Sequence, residues 1–173
     1  MKIFFITFLI FTSLIYSQEY QYIGSQKCKS CHVQKEKGSQ YVSWLQSRHS
    51  HAYWELKSEW AMFLAHQKEK YQDVTDPSTD ERCLHCHTSI KEDPKEMASG
   101  TYAIEEGVGC EACHGPASVY INTHFKKDRT TLDDGGIKPT EEVCKKCHRD
   151  EHFVFLEKLP KIQHGFPRDN SQG

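Results

Sequence analysis

Residues 107–116 read Gly107-Val108-Gly109-Cys110-Glu111-Ala112-Cys113-His114-Gly115-Pro116. This stretch contains the third of four copies of one pattern, in which two residues separate a pair of cysteines and a histidine follows the second cysteine. The four copies use all eight cysteines of the 173-residue chain. The other three copies are Cys28-Lys29-Ser30-Cys31-His32, Cys83-Leu84-His85-Cys86-His87 and Cys144-Lys145-Lys146-Cys147-His148.

The Cys-x-x-Cys-His spacing is the attachment sequence of c-type haem. On one helical turn, positions i, i+3 and i+4 share a face, so two thiols can bond to one porphyrin edge while the histidine reaches the iron. We therefore predict four covalently attached haem c groups. The attachment residues would be Cys28, Cys31, Cys83, Cys86, Cys110, Cys113, Cys144 and Cys147, and the motif ligands of iron would be His32, His87, His114 and His148.

Two other uses of the cysteines have to be compared with haem attachment. Eight cysteines in an exported chain can form four disulfides, and paired Cys-x-x-Cys units can hold zinc. Neither alternative explains why a histidine follows every second cysteine. Haem attachment is therefore the favoured interpretation, and disulfides and zinc are the alternatives.

The first 17 residues have the pattern of a secretory signal peptide. Lys2 precedes an apolar run of 13 residues from Ile3 to Ile15. The run is shorter than the roughly 20 apolar residues of a membrane-spanning helix, so an uncleaved anchor is the less favoured alternative. Export also fits haem c, which bacteria attach outside the cytoplasmic membrane. We predict a signal peptide over residues 1–17 with cleavage near Ser17, a tetrahaem cytochrome c domain over residues 18–173, and a periplasmic or secreted protein.

The length of the chain limits the core that it can build. Removing 17 of the 173 residues leaves 156, or 39 for each of the four motifs, which is too little chain to enclose each porphyrin in an apolar core of its own. The hydrophobic fraction of 37% and the mean hydropathy of −0.71 also predict that haems replace part of the buried apolar surface. We expect a mainly α fold, with short helices and loops packed around four closely spaced haems. The formal net charge of −2 does not indicate nucleic-acid binding.

Capping patterns predict where motif helices begin. Ser25 is a candidate N-cap for the first motif helix. Ser78 and Glu81 have the spacing of a capping box before the second motif. Glu141 and Glu142 would lie in the first turn of the last motif helix, where the helix dipole favours negative charge.

Two further helices are predicted between the first and second motifs. One opens at Ser39 and carries His49 on the same face as Tyr41 and Leu45, at i+4 spacing. A helix that presents a histidine toward the core supplies what a second axial ligand of iron requires. Residues 58–72 form the longest helix-like stretch of the sequence.

The second axial ligand of each iron decides between carrying electrons and binding a substrate. Besides Met1, the chain has only two methionines, Met62 and Met97. The remaining histidines outnumber the irons, so bis-histidine ligation is the default, with reduction potentials below those of Met/His cytochromes. The seven histidines outside the four motif-ligand positions are His49, His51, His66, His85, His124, His152 and His164.

The chain resembles the tetrahaem cytochrome c-554 family known from ammonia-oxidising bacteria. The resemblance rests on the four motifs in order and on Trp44-x-x-Ser47-x-His49-x-x-Ala52 after the first of them. It also rests on residues 107–116 at the third motif and on His124, ten residues after His114. It spans most of the chain beyond the signal peptide, and it implies a multihaem electron-transfer protein.

The resemblance implies an open iron at haem II, numbering the haems in sequence order, because the family has no second protein ligand opposite the residue that matches His87. His66 and Met97 are the local residues that could close it. The ligand of haem III is less settled, because the segment after the last motif is shorter here and His152 competes with His164. The implied pairs are His32 with His124 at haem I, His114 with His164 at haem III, and His148 with His49 at haem IV.

We predict that the protein transfers electrons between periplasmic or membrane-bound redox proteins. No side chain is expected to be catalytic, because the irons carry the electrons and the protein sets their potentials. The alternative is an enzyme that reduces nitric oxide or another nitrogen oxide at an open haem II, although the sequence offers no obvious acid or base there. A third interpretation is a subunit that docks a larger oxidoreductase. The basic stretches Lys35–Lys37, Lys126–Lys127 and Lys145–Lys146 would guide acidic partners.

Overall fold

The computed structural model describes residues 19–90, 98–126, 130–162 and 164. These residues form short helices, and their only β-pairing is one isolated parallel bridge between Tyr22 and Ala98. The predicted mainly α fold is confirmed, and the predicted signal peptide lies outside the described residues. The α-helices of the described part are α1 (Gln26–His32), α2 (Gln40–Leu45), α3 (Ala52–Glu55), α4 (Glu59–His66), α5 (Glu81–His87), α6 (Cys110–His114), α7 (Glu141–Lys145) and α8 (Phe155–Lys158). Its 3-10 turns are Lys35–Lys37, Arg48–His51, Glu69–Tyr71, Ile104–Glu106, Tyr120–Asn122, Thr131–Asp134 and Leu159–Lys161.

Each Cys-x-x-Cys-His motif coincides with a helical turn. Helices α1, α5 and α6 each end at the histidine of their motif. Helix α7 ends at Lys145, but the backbone N–H groups of Cys147 and His148 both donate to Cys144 O, at 3.1 and 2.9 Å, so the turn continues to the histidine. In each motif the two cysteines and the histidine therefore share one face, as attachment of a single haem requires.

The helix that was predicted to carry His49 is shorter than its sequence pattern indicates. Helix α2 ends at Leu45, and His49 lies on the separate turn Arg48–His51. The Ser50 hydroxyl donates to the carbonyls of Leu45 and Ser47, both at 2.9 Å. Serine bonds of this kind compete with the backbone bonds of a helix. The predicted continuous helix from Ser39 to His49 is wrong.

The predicted helix over residues 58–72 is also divided. Helix α4 ends at His66, Lys68 is extended, and the turn Glu69–Tyr71 follows. His66 Nε2 donates to Val74 O at 3.0 Å across this break. With eight residues, α4 is nevertheless the longest helix of the described residues.

Two predicted caps differ in the structure. Ser25 occupies the N-cap position of α1, but its hydroxyl accepts from Cys110 N–H, at 3.0 Å, and not from its own helix. Helix α5 begins after Asp80, whose carboxylate accepts from Arg82 N–H at 2.9 Å, so Ser78 is not the N-cap. The acidic first turn of α7 is as predicted.

Polar side chains occupy much of the interior of the described residues. The apolar cluster consists of three buried residues, Ile23, Ala117 and Tyr120, with Ile121 packed against them. The largest fully buried side chains are instead Glu111, Thr88, Ser25 and Ser89. Because buried polar groups are costly unless they are hydrogen-bonded, hydrogen bonds determine how these segments pack.

The Glu111 carboxylate joins the start of the domain to the third motif. Its side chain is fully buried, at 0% exposure. It accepts hydrogen bonds from the backbone N–H groups of Ile23 at 3.0 Å, Gly24 at 2.8 Å and Ala117 at 2.7 Å. One side chain inside a Cys-x-x-Cys pair therefore holds the segment before α1 and the segment after α6.

The residues just before α6 bond to the segment that carries His49 and to a residue that follows the second motif. Val108 N–H donates to His49 O, and Trp44 Nε1 donates to Val108 O, both at 2.9 Å. Gly109 N–H donates to the hydroxyl of Ser89, which follows the second motif, at 2.8 Å. The third motif is thus the point at which the first motif, the second motif and His49 are brought together.

Gly107 permits the close approach of this segment to His49. Its φ is +70°, a value that L side chains rarely adopt. A Cβ at this position would lie 2.6 Å from His49 O and 3.1 Å from Ala52 N. Glycine is therefore required both by the backbone conformation and by the space.

We predict that Gly107→Ala lowers the free energy of unfolding of the holoprotein by about 2–3 kcal/mol, because it combines a strained backbone with a backbone collision. Denaturant unfolding followed by circular dichroism measures the change. Gly100→Ala is the matched control, since a Cβ at Gly100 would meet nothing within 4 Å. Equal stability of the two variants would contradict the prediction.

We predict that Glu111→Gln lowers the free energy of unfolding by about 2–4 kcal/mol, because an amide offers one acceptor oxygen to three buried N–H donors. The same unfolding measurement tests this. Glu55→Gln, at an exposed position, should change stability by less than about 0.5 kcal/mol. A Glu111→Gln protein as stable as the Glu55→Gln control would disprove the role given to this carboxylate.

Candidate haem sites

The eight cysteines all lie within the described residues, and none of them is in a disulfide. The described residues also contain no group of three or more histidine, cysteine, aspartate or glutamate side chains placed to hold a metal ion. The structure therefore supports neither the disulfide nor the zinc alternative for the cysteine pairs.

Three of the four motif histidines face a second imidazole from elsewhere in the chain. Their ring centroids lie about 6 Å apart. Because a metal–imidazole bond is about 2.0–2.1 Å long and the nitrogen lies about 1.1 Å from the ring centroid, two imidazoles on opposite sides of one metal have centroids about 6.3 Å apart. The pairs are His32 with His124 at 6.0 Å, His49 with His148 at 6.0 Å, and His114 with His164 at 5.9 Å.

Hydrogen bonds orient several of these rings through Nδ1. His124 Nδ1 donates to Tyr120 O at 2.9 Å, and His87 Nδ1 donates to Ala52 O at 2.7 Å. His32 Nδ1 lies 3.3 Å from the side-chain oxygen of Gln40. Histidines that bind metals typically donate their other ring N–H in this way, which fixes the tautomer and the ring direction.

Several of the facing imidazoles are neutral at neutral pH. Burial lowers the pKa of His114, and together with smaller contributions from the facing His164 and from His32 it brings this pKa to about 4. Burial also lowers the pKa of His49, with a further contribution from His148, and the pKa of His164. Neutral imidazole is the form that binds a metal ion.

The second motif differs from the other three. Among the described residues, no second imidazole faces the ring of His87. His66, one candidate to close this position, is exposed, and its Nε2 is bonded to Val74 O. The other candidate, Met97, lies outside the described residues.

Two further histidines, His51 and His152, have other partners. His152 is exposed and lies 3.6 Å from Glu151, so the structure brings His164, and not His152, to His114. The His51 ring is bonded through Nδ1 to Ser47 O and to the Ser50 hydroxyl.

The attachment sites lie close to one another in two groups. The thiols of Cys28 and Cys110 are hydrogen-bonded, which together with burial raises the pKa of Cys28. Cys147 Sγ donates to His85 O at 3.8 Å. The first and third motifs are therefore neighbours, as are the second and fourth. Closely spaced attachment sites of this kind suit groups that exchange electrons with one another.

Some residues around the sites have no sequence signal that identifies them. The Phe153 ring stacks on His148, with centroids 4.8 Å apart and planes 9° apart. Glu106 accepts from Ser25 N–H at 2.7 Å. Glu111 occupies one of the variable positions of a motif, where the pattern specifies nothing. The contacts of Glu106 with Ser25 and of Glu111 with Ile23 and Gly24 join segments distant in sequence, so local spacing could not have revealed them.

Taken together, cysteine pairs on helical turns, facing imidazoles and Nδ1 bonds to acceptors fit covalently attached haem with histidine ligands. A sequence profile of the family described as cytochrome c554 and c-prime matches residues 27–115, about half of the chain. The chain belongs to this family. The matched residues contain the first three motifs, and covalently attached haem c is the cofactor of cytochromes of this type.

A curated relative supports the same family. Cytochrome c-554 of Nitrosomonas europaea is 32% identical over 138 residues, which cover 75% of this chain and 53% of that protein. The chain thus spans about half the length of the curated relative it matches. No solved structure matches the chain. Within the described residues, no helix is long and apolar enough to span a membrane.

Proposed function

We propose that the protein is a tetrahaem c-type cytochrome that transfers electrons between redox proteins. The observation that carries the proposal is the set of three facing histidine pairs, each of which combines a motif histidine with an imidazole from elsewhere. Each motif would attach one haem through its two cysteines. The axial pairs would be His32 with His124, His114 with His164, and His148 with His49, and His87 would be the motif ligand of haem II.

The residues around these positions are suited to electron transfer in which no covalent bond is made or broken. When bound, haem supplies a one-electron redox centre. The paired imidazoles would hold each of these three haems from both sides, which would keep substrates away and would let electrons pass without a change of ligand. The bonds from His32 and His124 to Gln40 and Tyr120 hold the rings in place. The protein thereby sets the potential and excludes side reactions.

The proposed domain covers residues 18–173 and follows a signal peptide over residues 1–17, which places the protein in the periplasm or outside the cell. Its partners would be periplasmic or membrane-bound redox proteins. The exposed lysines Lys35 and Lys37 follow the first motif directly. Lys145, which lies within the fourth motif, is paired with Glu141 at 2.7 Å. We therefore favour the surface beside the first motif as the contact for an acidic partner.

The alternative function is reduction of nitric oxide or another nitrogen oxide at haem II. One observation favours it: among the described residues, His87 is the motif histidine that no second imidazole faces. A five-coordinate iron at this position would bind a small ligand. Electron transfer remains the favoured function, because it accounts for all three of the facing histidine pairs.

We predict that low-temperature EPR of the fully oxidised holoprotein detects three low-spin haems and one high-spin haem. The reason is that three motif histidines have a facing imidazole and His87 has none among the described residues. Four low-spin haems would mean that another group closes haem II, and would remove the basis for the reductase alternative. If a high-spin haem is found, nitric oxide should bind at one site per chain.

We predict that His124→Ala and His49→Ala each convert one low-spin haem to high-spin, because each removes one axial imidazole. His51→Ala is the matched control for His49, since its ring bonds to Ser47 and Ser50 instead. His164→Ala and His152→Ala form a second matched pair. An unchanged spin count in His164→Ala, or a change in His152→Ala, would overturn that ligand assignment.

A further inference from the structure

A polar cluster of two buried serines and one half-buried carboxylate lies where segments next to three of the motifs meet. We define the Glu106 cluster as Ser25, which precedes the first motif, Ser89, which follows the second, and Glu106, which precedes the third. Ser25 and Ser89 are 0% and 1% exposed. The role of Glu106 is not explained by haem attachment or ligation, although it is a titratable group inside the domain.

The contacts of Glu106 lead directly to the attachment residues. Its carboxylate accepts from Ser25 N–H at 2.7 Å and from the Ser25 hydroxyl at 3.1 Å. The same hydroxyl oxygen accepts from Cys110 N–H at 3.0 Å. A single serine therefore connects the carboxylate to the backbone of Cys110, and Ser25 also begins the helix that carries Cys28.

The packing at Gly109 confirms how close this carboxylate is to the third motif. A Cβ at Gly109 would collide with the Glu106 carboxylate and with the Ser25 hydroxyl, and it would lie 3.0 Å from the Ser89 hydroxyl. The carboxylate thus packs against the residue directly before Cys110. No side chain separates Glu106 from the start of α6.

The environment of Glu106 lets it exist in both protonation states near neutral pH. The pKa of Glu106 is raised to about 7, mainly by burial. The bonds from Ser25 oppose this rise, and the charge of Glu111 contributes to it. A raised pKa means that this group stabilises the fold fully below the unfolded value of 4.5 and less as pH rises through about 7. A small change in nearby charge is then enough to change its protonation.

Of the titratable groups in this cluster, Glu106 is the one whose protonation state is expected to change when the charge of a nearby haem changes. Burial raises the pKa of Tyr102 to about 12 and also raises the pKa of Tyr41, so both phenols stay neutral. Cys28 and Cys110 would be thioethers in the holoprotein and would not titrate. Burial raises the pKa of Glu111 as well, but the three backbone N–H groups that bond to it oppose this rise and favour the carboxylate. None of these neighbours is a cation that would hold Glu106 ionised.

We propose that Glu106 is a redox-linked proton-binding site, whose carboxylate takes up a proton when a haem at the first or third motif is reduced and releases it on oxidation. The proposal rests on the proposed function, because it requires haems attached at Cys28 and Cys110. The electron comes from the redox partner and the proton from solvent. One O–H bond forms on the carboxylate, and no other group is oxidised or reduced.

The size of the coupling follows from Coulomb's law. A unit change of charge within about 10 Å, in an effective dielectric constant of about 20, changes a proton affinity roughly tenfold. By linkage, proton binding changes the reduction equilibrium by the same factor. At most, the equilibrium constant for reduction changes tenfold per pH unit, which shifts the midpoint potential of a one-electron centre by about 59 mV.

The test is a redox titration of the purified holoprotein between about pH 5.5 and 8.5, a range centred on the pKa of about 7. Haem content is determined first, because fewer than four haems per chain would contradict the proposed function and not this inference. With four haems present, at least one potential should fall as pH rises. In Glu106→Gln this pH dependence should be lost, while in Glu105→Gln, at the exposed neighbouring position, it should persist.

Reduced-minus-oxidised infrared difference spectra identify the group directly. A carboxylic acid C=O stretching band should appear on reduction, persist in Glu105→Gln and be absent in Glu106→Gln. Ser25→Ala is a second variant in case Glu106→Gln does not retain its haems. It removes a hydrogen bond that favours the carboxylate, so the midpoint of the pH dependence should move to higher pH.

Three results would overturn the proposal. The first is a set of wild-type potentials that do not depend on pH. The second is a pH dependence that is the same in Glu106→Gln as in the wild type, since haem propionates would then be its source. The third is a C=O band that remains in Glu106→Gln.

Discussion

The Glu111 carboxylate, fully buried and bonded to the backbone N–H groups of Ile23, Gly24 and Ala117, is the constraint on which the rest of the fold depends. A buried carboxylate is tolerated only when donors satisfy it. Here the donors come from both ends of the segment that contains the first three motifs. The chain must therefore close on itself at the third motif before its buried groups are satisfied.

From this closure the positions of the haem sites follow. With α6 held against the start of the domain, Ser25 can bond to Cys110 and Glu106, and Gly107 can approach His49. The motif helices α1, α5, α6 and α7 are short, and each one, with the turn that continues α7, presents the cysteines of its motif. The segments around the third motif are joined largely by polar contacts. The proposed electron transfer depends on the short separations that result.

The sequence predicted the mainly α fold and the family correctly, and it was wrong about several local elements. The predicted helix through His49 failed because Ser50 bonds to Leu45 and Ser47, which ends the helix early. Ser25 was expected to cap its own helix, but its hydroxyl bonds to Cys110, 85 residues away in sequence. The first failure comes from local serine bonds that compete with the helix, and the second comes from a bond between distant segments that no capping rule describes.

The sequence alone indicated covalent haem attachment, because the spacing of two cysteines and a histidine on one helical turn is a local property. The resemblance to the family also implied three histidine pairs, and the structure brings the same histidines together. Only the tertiary structure decided that His164 and not His152 lies against His114, that Glu111 is buried, and that Glu106 bonds to Ser25 between the first and third motifs. The physical reason is that burial and facing geometry depend on how distant segments satisfy one another's polar groups, which no short sequence pattern encodes.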